Sequence, residues 1–154
     1  MILAIDPGTH ESAYCVVNEK YEPKAFAKLP NEDLIEILKI GTYKQEKLVI
    51  EMIASYGMPV GSEVFETCVW IGRFLQVAGG CNFIYRNEEK LNLCGSVKAN
   101  DSKIRKALID RFARFDKKNG KGRADKPDWF YGFRDDIWSA YAVAVTYMDK
   151  ENAE

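Results

Sequence analysis

The sequence predicts an α/β domain of three layers, in which a mixed sheet of five strands has helices on both faces. Two observations support this prediction. Short, continuous apolar runs typical of buried strands alternate with segments whose apolar residues have helical spacing. In addition, 154 residues, 47% of them hydrophobic, suffice for one domain with a sizeable core. We therefore expect residues 1–154 to form a single domain.

The first elements are predicted to be an antiparallel meander and a helix. The predicted strands are ILAI (2–5), SAYCVVN (12–18) and PKAFAKL (23–29). The third strand begins at Pro23, as edge strands often do. NEDLIEILKIG (31–41) is predicted to be a helix, because Asn31 can cap its first turn and Gly41 can end it.

Strands and helices alternate in the rest of the chain. We predict strands KLVIE (47–51) and CNFIYR (81–86), a helix from about Ser62, a helix NDSKIRKALIDRFARF (100–115), and a last helix from about Asp135 to Met148. The helix from Ser62 would bury Val64, Cys68, Ile71 and Leu75, and the helix at 100–115 would bury Phe115. Residues 116–134 show no periodicity and are expected to form a long, mobile, basic loop.

Composition restricts the classes of function. Four widely spaced cysteines and one histidine suggest neither a zinc site nor a disulfide framework. A start without a basic leader and the lack of an 18-residue apolar run favour a cytoplasmic protein without a membrane segment. The net charge is −1, yet residues 98–126 carry eleven Lys or Arg and only four Asp or Glu. Such a local excess of +7 is typical of contact with a polyanion, and also of a solvated basic face.

Carboxylates stand where strands end. Asp6 and Glu51 directly follow buried strands, so if these strands are parallel neighbours both acids leave the sheet at one edge. Asp135 and Asp136 are predicted in the first turn of the last helix, with Asp136 pointing toward the strand ends. Oxygen ligands favour Mg²⁺ or Mn²⁺, and no small-molecule cofactor is indicated. Such a site suits phosphodiester hydrolysis by two metal ions, with DNA or RNA as the substrate.

Four motifs, in order, resemble those of the RuvC-type Holliday-junction resolvases. They are LAIDPGTHESAYCVV, VIEMI, KLNLCGSVKANDSKIRKAL and DDIWSAYAVAVTY, which together span essentially the whole chain. The length and the stretch EMIASYGMPVGSEVFETCVWIGRF are most similar to the short resolvases encoded by phages.

The resemblance implies a ribonuclease H-like domain that works as a homodimer and uses Mg²⁺ to make paired nicks in four-way DNA. It implies that Asp6 bridges two ions, that Glu51 holds one and that Asp136 holds the other. Lys90 and Lys103 match lysines near the scissile phosphate, with Lys103 counted among the catalytic residues. Lys98 and Arg105 would position the DNA backbone.

Two positions depart from the family pattern. Ser139 stands where the family has a second acid on the last helix, and Asp135 could supply the missing ligand. Ala54 stands where the family often has an aromatic wedge, and Tyr56 in the following loop could stack on an unpaired base instead.

Two alternatives remain open. A protein with the same fold could bind junctions and cut them weakly or not at all, because Ser139 replaces an acid. A nuclease of the same fold that processes ribosomal RNA would share Asp6, but it would explain the basic segment less well.

Overall fold

Five strands form the main sheet of the computed structural model, which describes residues 1–154. The strands are β1 Ile2–Asp6, β2 Glu11–Val17, β3 Pro23–Pro30, β4 Lys47–Met52 and β5 Asn82–Tyr85, in the spatial order β3-β2-β1-β4-β5. β2 is antiparallel to β1 and β3, whereas β4 is parallel to both β1 and β5. The predicted mixed sheet of five strands is confirmed.

The apolar run in β1 is explained by burial on both faces of the sheet. Leu3 and Ile5 point into the core on one face, and Ala4 points into the core on the other. In the parallel pair of β1 and β4, Ile5 lies opposite Ile50. Asp6 and Glu51 follow these two residues, so both acids come to the same edge of the sheet, as predicted.

Helices cover both faces, which confirms the predicted layers. α1 Asn31–Ile40 and α2 Ser62–Ala78 pack on one face, and α3 Arg86–Cys94, α4 Asp101–Phe112 and α5 Ile137–Asn152 lie on the other. α5 is the central helix of its layer, and every residue from Ala140 to Met148 is buried. None of the five helices combines the length and the apolar character needed to cross a membrane.

Two predictions about α1 and α2 are wrong. Asn31 does not cap α1 but is its first residue, and its buried side chain bonds to the turn after β1. α2 buries Ile71, as predicted, together with Thr67 and Phe74, whereas Cys68 is exposed and Val64 and Leu75 are only half-buried. Apolar residues on several sides of α2 made its buried face ambiguous, and packing against α1 selected the face with Phe74.

The boundaries around α3, α4 and α5 also differ from the prediction. α3 was not predicted, because its first half, RNEEK, has no apolar residue to reveal helical spacing. α4 ends at Phe112, so Phe115 lies beyond the helix and is 45% exposed rather than buried. α5 begins at Ile137, so Asp135 and Asp136 precede the helix instead of lying in its first turn.

The segment 116–134 contains regular structure where an irregular loop was expected. β6 Gly122–Arg123 pairs with β7 Lys126–Pro127, and Phe130 and Phe133 are buried in the core. The Asp128 carboxylate accepts hydrogen bonds from the backbone N–H groups of residues 114, 115, 116 and 129. Burial alone would raise the pKa of Asp128, but these donors lower it to about 2. The mobility of the segment remains a prediction.

Candidate active site at the edge of the sheet

The turn after β1 fixes the position of Asp6. A Cβ atom at Gly8 would collide with the backbone carbonyl of Glu11, so only glycine fits this close approach. The Ser12 hydroxyl accepts a hydrogen bond from the Gly8 N–H (3.1 Å) and donates one to Asn31 Oδ1 (2.6 Å). The Asn31 side chain in turn donates to the Gly8 carbonyl (2.9 Å). Three hydrogen bonds therefore hold the chain directly after Asp6.

Asp136 reaches the same edge from the start of α5. It occupies the position before the helix, but its carboxylate makes no capping hydrogen bond. Instead, Asp136 Oδ2 lies 2.8 Å from Lys28 Nζ, on β3. The charge of Asp136 acts on both Asp6 and Glu51, so these three predicted acids lie within electrostatic range of one another.

A fourth acid, Glu89 on α3, was not predicted and is completely buried. Its Oε1 accepts a hydrogen bond from Arg86 Nη1 (3.0 Å), and the other end of the guanidinium pairs with Asp101. Glu89 Oε2 and Glu51 Oε2 are both buried, and neither receives a hydrogen bond from an N–H or O–H group. The sequence carried one faint signal for Glu89, its position three residues after Arg86, which suits an ion pair within a helix.

Electrostatics couple the acids strongly. Burial raises the pKa of Asp6 well above its ordinary value, and repulsion from Glu51 and Asp136 raises it further. Burial also raises the pKa of Glu51, against the attraction of Arg86. The pKa of Glu89 rises to about 9, through burial first and repulsion from Glu51 second. Burial and mutual repulsion therefore both disfavour the charged forms of these acids in the metal-free protein.

The donor set fits a hard divalent cation. All four acids offer oxygen ligands, which Mg²⁺ and Mn²⁺ prefer, and the two buried oxygens without partners would gain one from a cation. No three acids lie close enough together to form a complete ligand set as they stand. Asp136 is held by Lys28, so a cation would need Asp136 to exchange this partner.

Asp135 and Ser139 lie in a cleft beside these acids. Asp135 is exposed and has a positive φ of 46°, and Ser139 is half-buried. Both line a cleft of about 160 Å³ together with Asp136, Arg86 and Arg105, among others. Asp135 acts electrostatically on Lys28, and Asp136 acts on both Lys28 and Asp6.

The predicted DNA-binding residues lie at different distances from the acids. Lys90 is half-buried on α3, and its charge partly offsets the rise in the pKa of Glu51. Lys98 and Lys103 are exposed, and neither forms an ion pair. Tyr56 is exposed, and its hydroxyl accepts a long hydrogen bond (3.4 Å) from the Asn87 N–H. Among the predicted lysines, Lys90 is therefore the one whose charge acts on an acid of the site, Glu51.

Arg105 joins the acidic cleft to a basic one. Its guanidinium lies 5.0 Å from the centre of the Trp138 ring, and both side chains line the two clefts. The second cleft, of about 250 Å³, is also lined by Lys118 and Lys121, which form no ion pair. Sequence reasoning had placed these lysines in a loop and assigned them no role.

The fold has known counterparts among solved structures. RuvC of T. thermophilus in complex with a Holliday junction substrate superposes with a TM-score of 0.65, covering 99% of this chain and 94% of that chain. The chain has a RuvC-like fold. Another structure of RuvC from Thermus thermophilus gives a TM-score of 0.62, over 99% of this chain and 96% of the other. Sequence identity is 14% in both comparisons.

Sequence comparison gives no further relative. No family model matches the chain, and no curated protein matches it. The RuvC-like fold is ribonuclease H-like, as the motifs predicted, and at 14% identity the likeness concerns the fold alone. Function therefore has to be argued from the site.

Proposed function

We propose that the protein is a metal-dependent endonuclease that resolves Holliday junctions or other branched DNA by paired nicks, a crossover junction endodeoxyribonuclease. The observation that carries this proposal is the meeting of Asp6, Glu51 and Asp136 at one edge of a RuvC-like fold. A similar protein of T. thermophilus has been solved with a Holliday junction substrate. The protein would act in the cytoplasm, which for a phage-encoded resolvase is that of the bacterial host.

Asp6, Glu51 and Asp136 would hold Mg²⁺ or Mn²⁺, with Asp6 shared between two ions and Asp135 at the cleft as a further ligand. When bound, a pair of such ions supplies an activated water and neutralises charge on the scissile phosphate. Partial burial of Asp6 and Glu51 limits the water that competes for these oxygens. The turn held by Ser12 and Asn31 keeps Asp6 in place before the cation binds.

Basic side chains would guide the DNA backbone into the site. Lys90 lies beside the acids and would contact the phosphate nearest to them, and Lys103 would do so from the exposed face of α4. Arg105, held against Trp138, continues this path into the cleft with Lys118 and Lys121. Lys98 and Tyr56 would add an exposed charge and an exposed ring at the margins.

A second copy of the chain would bring a second active site, as paired nicks require. α2 offers an apolar face for it, because Phe65 is 62% exposed and Val69 is 63% exposed, with Cys68 between them. Exposed apolar patches of this kind are typical of protein interfaces. α2 follows directly on the loop after β4, so a twofold contact through this face would couple the two sites through that loop.

The test is to separate binding from cleavage with Asp6→Asn. This variant keeps the size of the side chain but removes the carboxylate of Asp6, which lies near Glu51 and Asp136. We expect it to bind a four-way junction within about threefold of the wild type, and to lose the Mg²⁺-dependent nicks by about 100-fold or more. Asp33→Asn, at an exposed position on α1, is the matched control and should cut at the wild-type rate.

Two results would overturn the proposal. The assignment of Asp6 fails if Asp6→Asn nicks the junction as fast as the wild type. The nuclease function fails if the wild type binds the junction yet cuts nothing with Mg²⁺ or Mn²⁺, which would favour a junction-binding protein. Faster cutting of structured RNA than of junctions would instead favour an RNA-processing nuclease.

A further inference from the structure

Glu89 is a buried acid whose surroundings do not account for it. It is 0% exposed, and only one of its two oxygens has a partner, the Arg86 guanidinium. Glu89 Oε2 accepts no hydrogen bond. A buried carboxylate oxygen without a partner is destabilising, and such groups are few in native proteins.

A purely structural ion pair does not explain this arrangement. Arg86 already has a second carboxylate partner in Asp101, at the first residue of α4. A neutral residue at position 89 would leave that pair intact and would avoid burying a second negative charge. Replacing buried ion pairs by apolar residues is often neutral or stabilising, so stability alone does not favour an acid here.

Glu89 lies beside a second buried carboxyl group. The carboxyl groups of Glu51 and Glu89 are within hydrogen-bonding reach of each other, and Glu51 is the main source of repulsion on Glu89. Glu51 Oε2 is also buried and also lacks a donor. These two acids come from different elements, β4 and α3, which makes their contact a product of the tertiary fold. Two carboxyl groups in contact are held either by a shared proton, which Glu89 keeps in the metal-free protein, or by a cation that displaces it.

We propose that Glu89 is a further carboxylate of the cation site and binds a divalent ion together with Glu51. Arg86 acts as a positioning residue, because its bond to Oε1 leaves Oε2 free to face Glu51. This inference rests on the proposed function, in that it assumes that Asp6 and Glu51 hold a metal. The other acids of the site lie at strand ends or before α5, so Glu89 would be the ligand contributed by α3.

The test measures metal binding without DNA cleavage. Mn²⁺ binding to the purified protein is followed by electron paramagnetic resonance of the free ion, for wild type, Glu89→Gln and Glu89→Asp. Loss of a residue that only supports a ligand weakens metal binding about 10- to 100-fold, and loss of a ligand should do at least as much. We therefore expect Glu89→Gln to weaken Mn²⁺ binding by more than about 100-fold, beyond the range for a supporting residue, and Glu89→Asp to fall between it and the wild type.

Asp101→Asn is the control for the Arg86 ion pair, because it removes the other partner of Arg86 and leaves Asp6, Glu51, Asp136 and Glu89 in place. It should bind Mn²⁺ within about twofold of the wild type. The inference is overturned if both Glu89 variants bind Mn²⁺ as the wild type does, or if Asp101→Asn loses as much affinity as Glu89→Gln. If the wild type itself binds no Mn²⁺, the metal-dependent function fails as well, so the two failures are distinguishable.

Discussion

Asn31→Ala tests how the fold holds Asp6. Asn31 and Ser12 are each 1% exposed, so neither side chain can replace a lost partner with water. The substitution removes the acceptor of the Ser12 hydroxyl and the donor to the Gly8 carbonyl. Leaving a buried polar group unsatisfied costs about 1–3 kcal/mol. Gly8 is only half-buried and can bind water in part, so we expect a total loss of about 2–4 kcal/mol in the free energy of unfolding.

Urea unfolding, followed by tryptophan fluorescence, measures this loss, with Asn82→Ala at an exposed position as the control. Ser12→Ala should also destabilise, by about 1–3 kcal/mol, because it leaves Asn31 Oδ1 without a donor. The double variant should lose less than the sum of the two single losses, by about 1 kcal/mol, because both remove the same hydrogen bond. A loss below about 0.5 kcal/mol for Asn31→Ala, or strict additivity, would refute the role given to this network.

Three further predictions concern charge and assembly. The pKa of Glu89 lies near 9 in the folded protein and near 4.5 when unfolded, so the folded state keeps a proton that the unfolded chain releases. The free energy of unfolding in EDTA should therefore fall as pH rises from about 5 to 9, and Glu89→Gln should flatten this dependence; an equal slope in both proteins would contradict it. The double variant Lys118→Ala/Lys121→Ala should weaken junction binding and reduce its salt dependence by about one phosphate contact per lysine. The control double variant Lys39→Ala/Lys44→Ala, on the opposite side, should leave junction binding unchanged. Val69→Glu should convert a dimer into a monomer, as measured by light scattering, whereas Glu66→Gln should leave the dimer intact. A wild type that stays monomeric even on a junction would exclude a dimer through α2.

The sheet and the first two acids could be predicted because local pattern determines them. ILAI and KLVIE are continuous apolar runs, and each is followed directly by an acid, so strand and acid are visible in the same few residues. The parallel pairing of β1 and β4 then brings Asp6 and Glu51 together. Asp136 lies near both acids, as expected, although α5 begins after it rather than before it; its role as a metal ligand remains a prediction.

Glu89 could not be predicted, because its burial depends on the tertiary structure. A glutamate in the polar sequence RNEEK is usually exposed, and nothing in these letters indicates that α3 turns Glu89 inward toward Glu51. The buried face of α2 was missed for a related reason. Its apolar residues lie on more than one side, and the sequence does not say which side meets α1 and which is left exposed.

Mapping of the nicks in a four-way DNA junction tests the central claim most directly. The purified protein is incubated with a labelled junction and with linear duplex of the same sequence, in Mg²⁺ or in EDTA, and the products are sequenced and treated with ligase. The structure-based account predicts nicks at symmetrically related positions of two opposite strands, sealed by ligase, only in the junction and only with Mg²⁺. A junction that stays intact with Mg²⁺ and with Mn²⁺, although the protein binds it, would contradict the account.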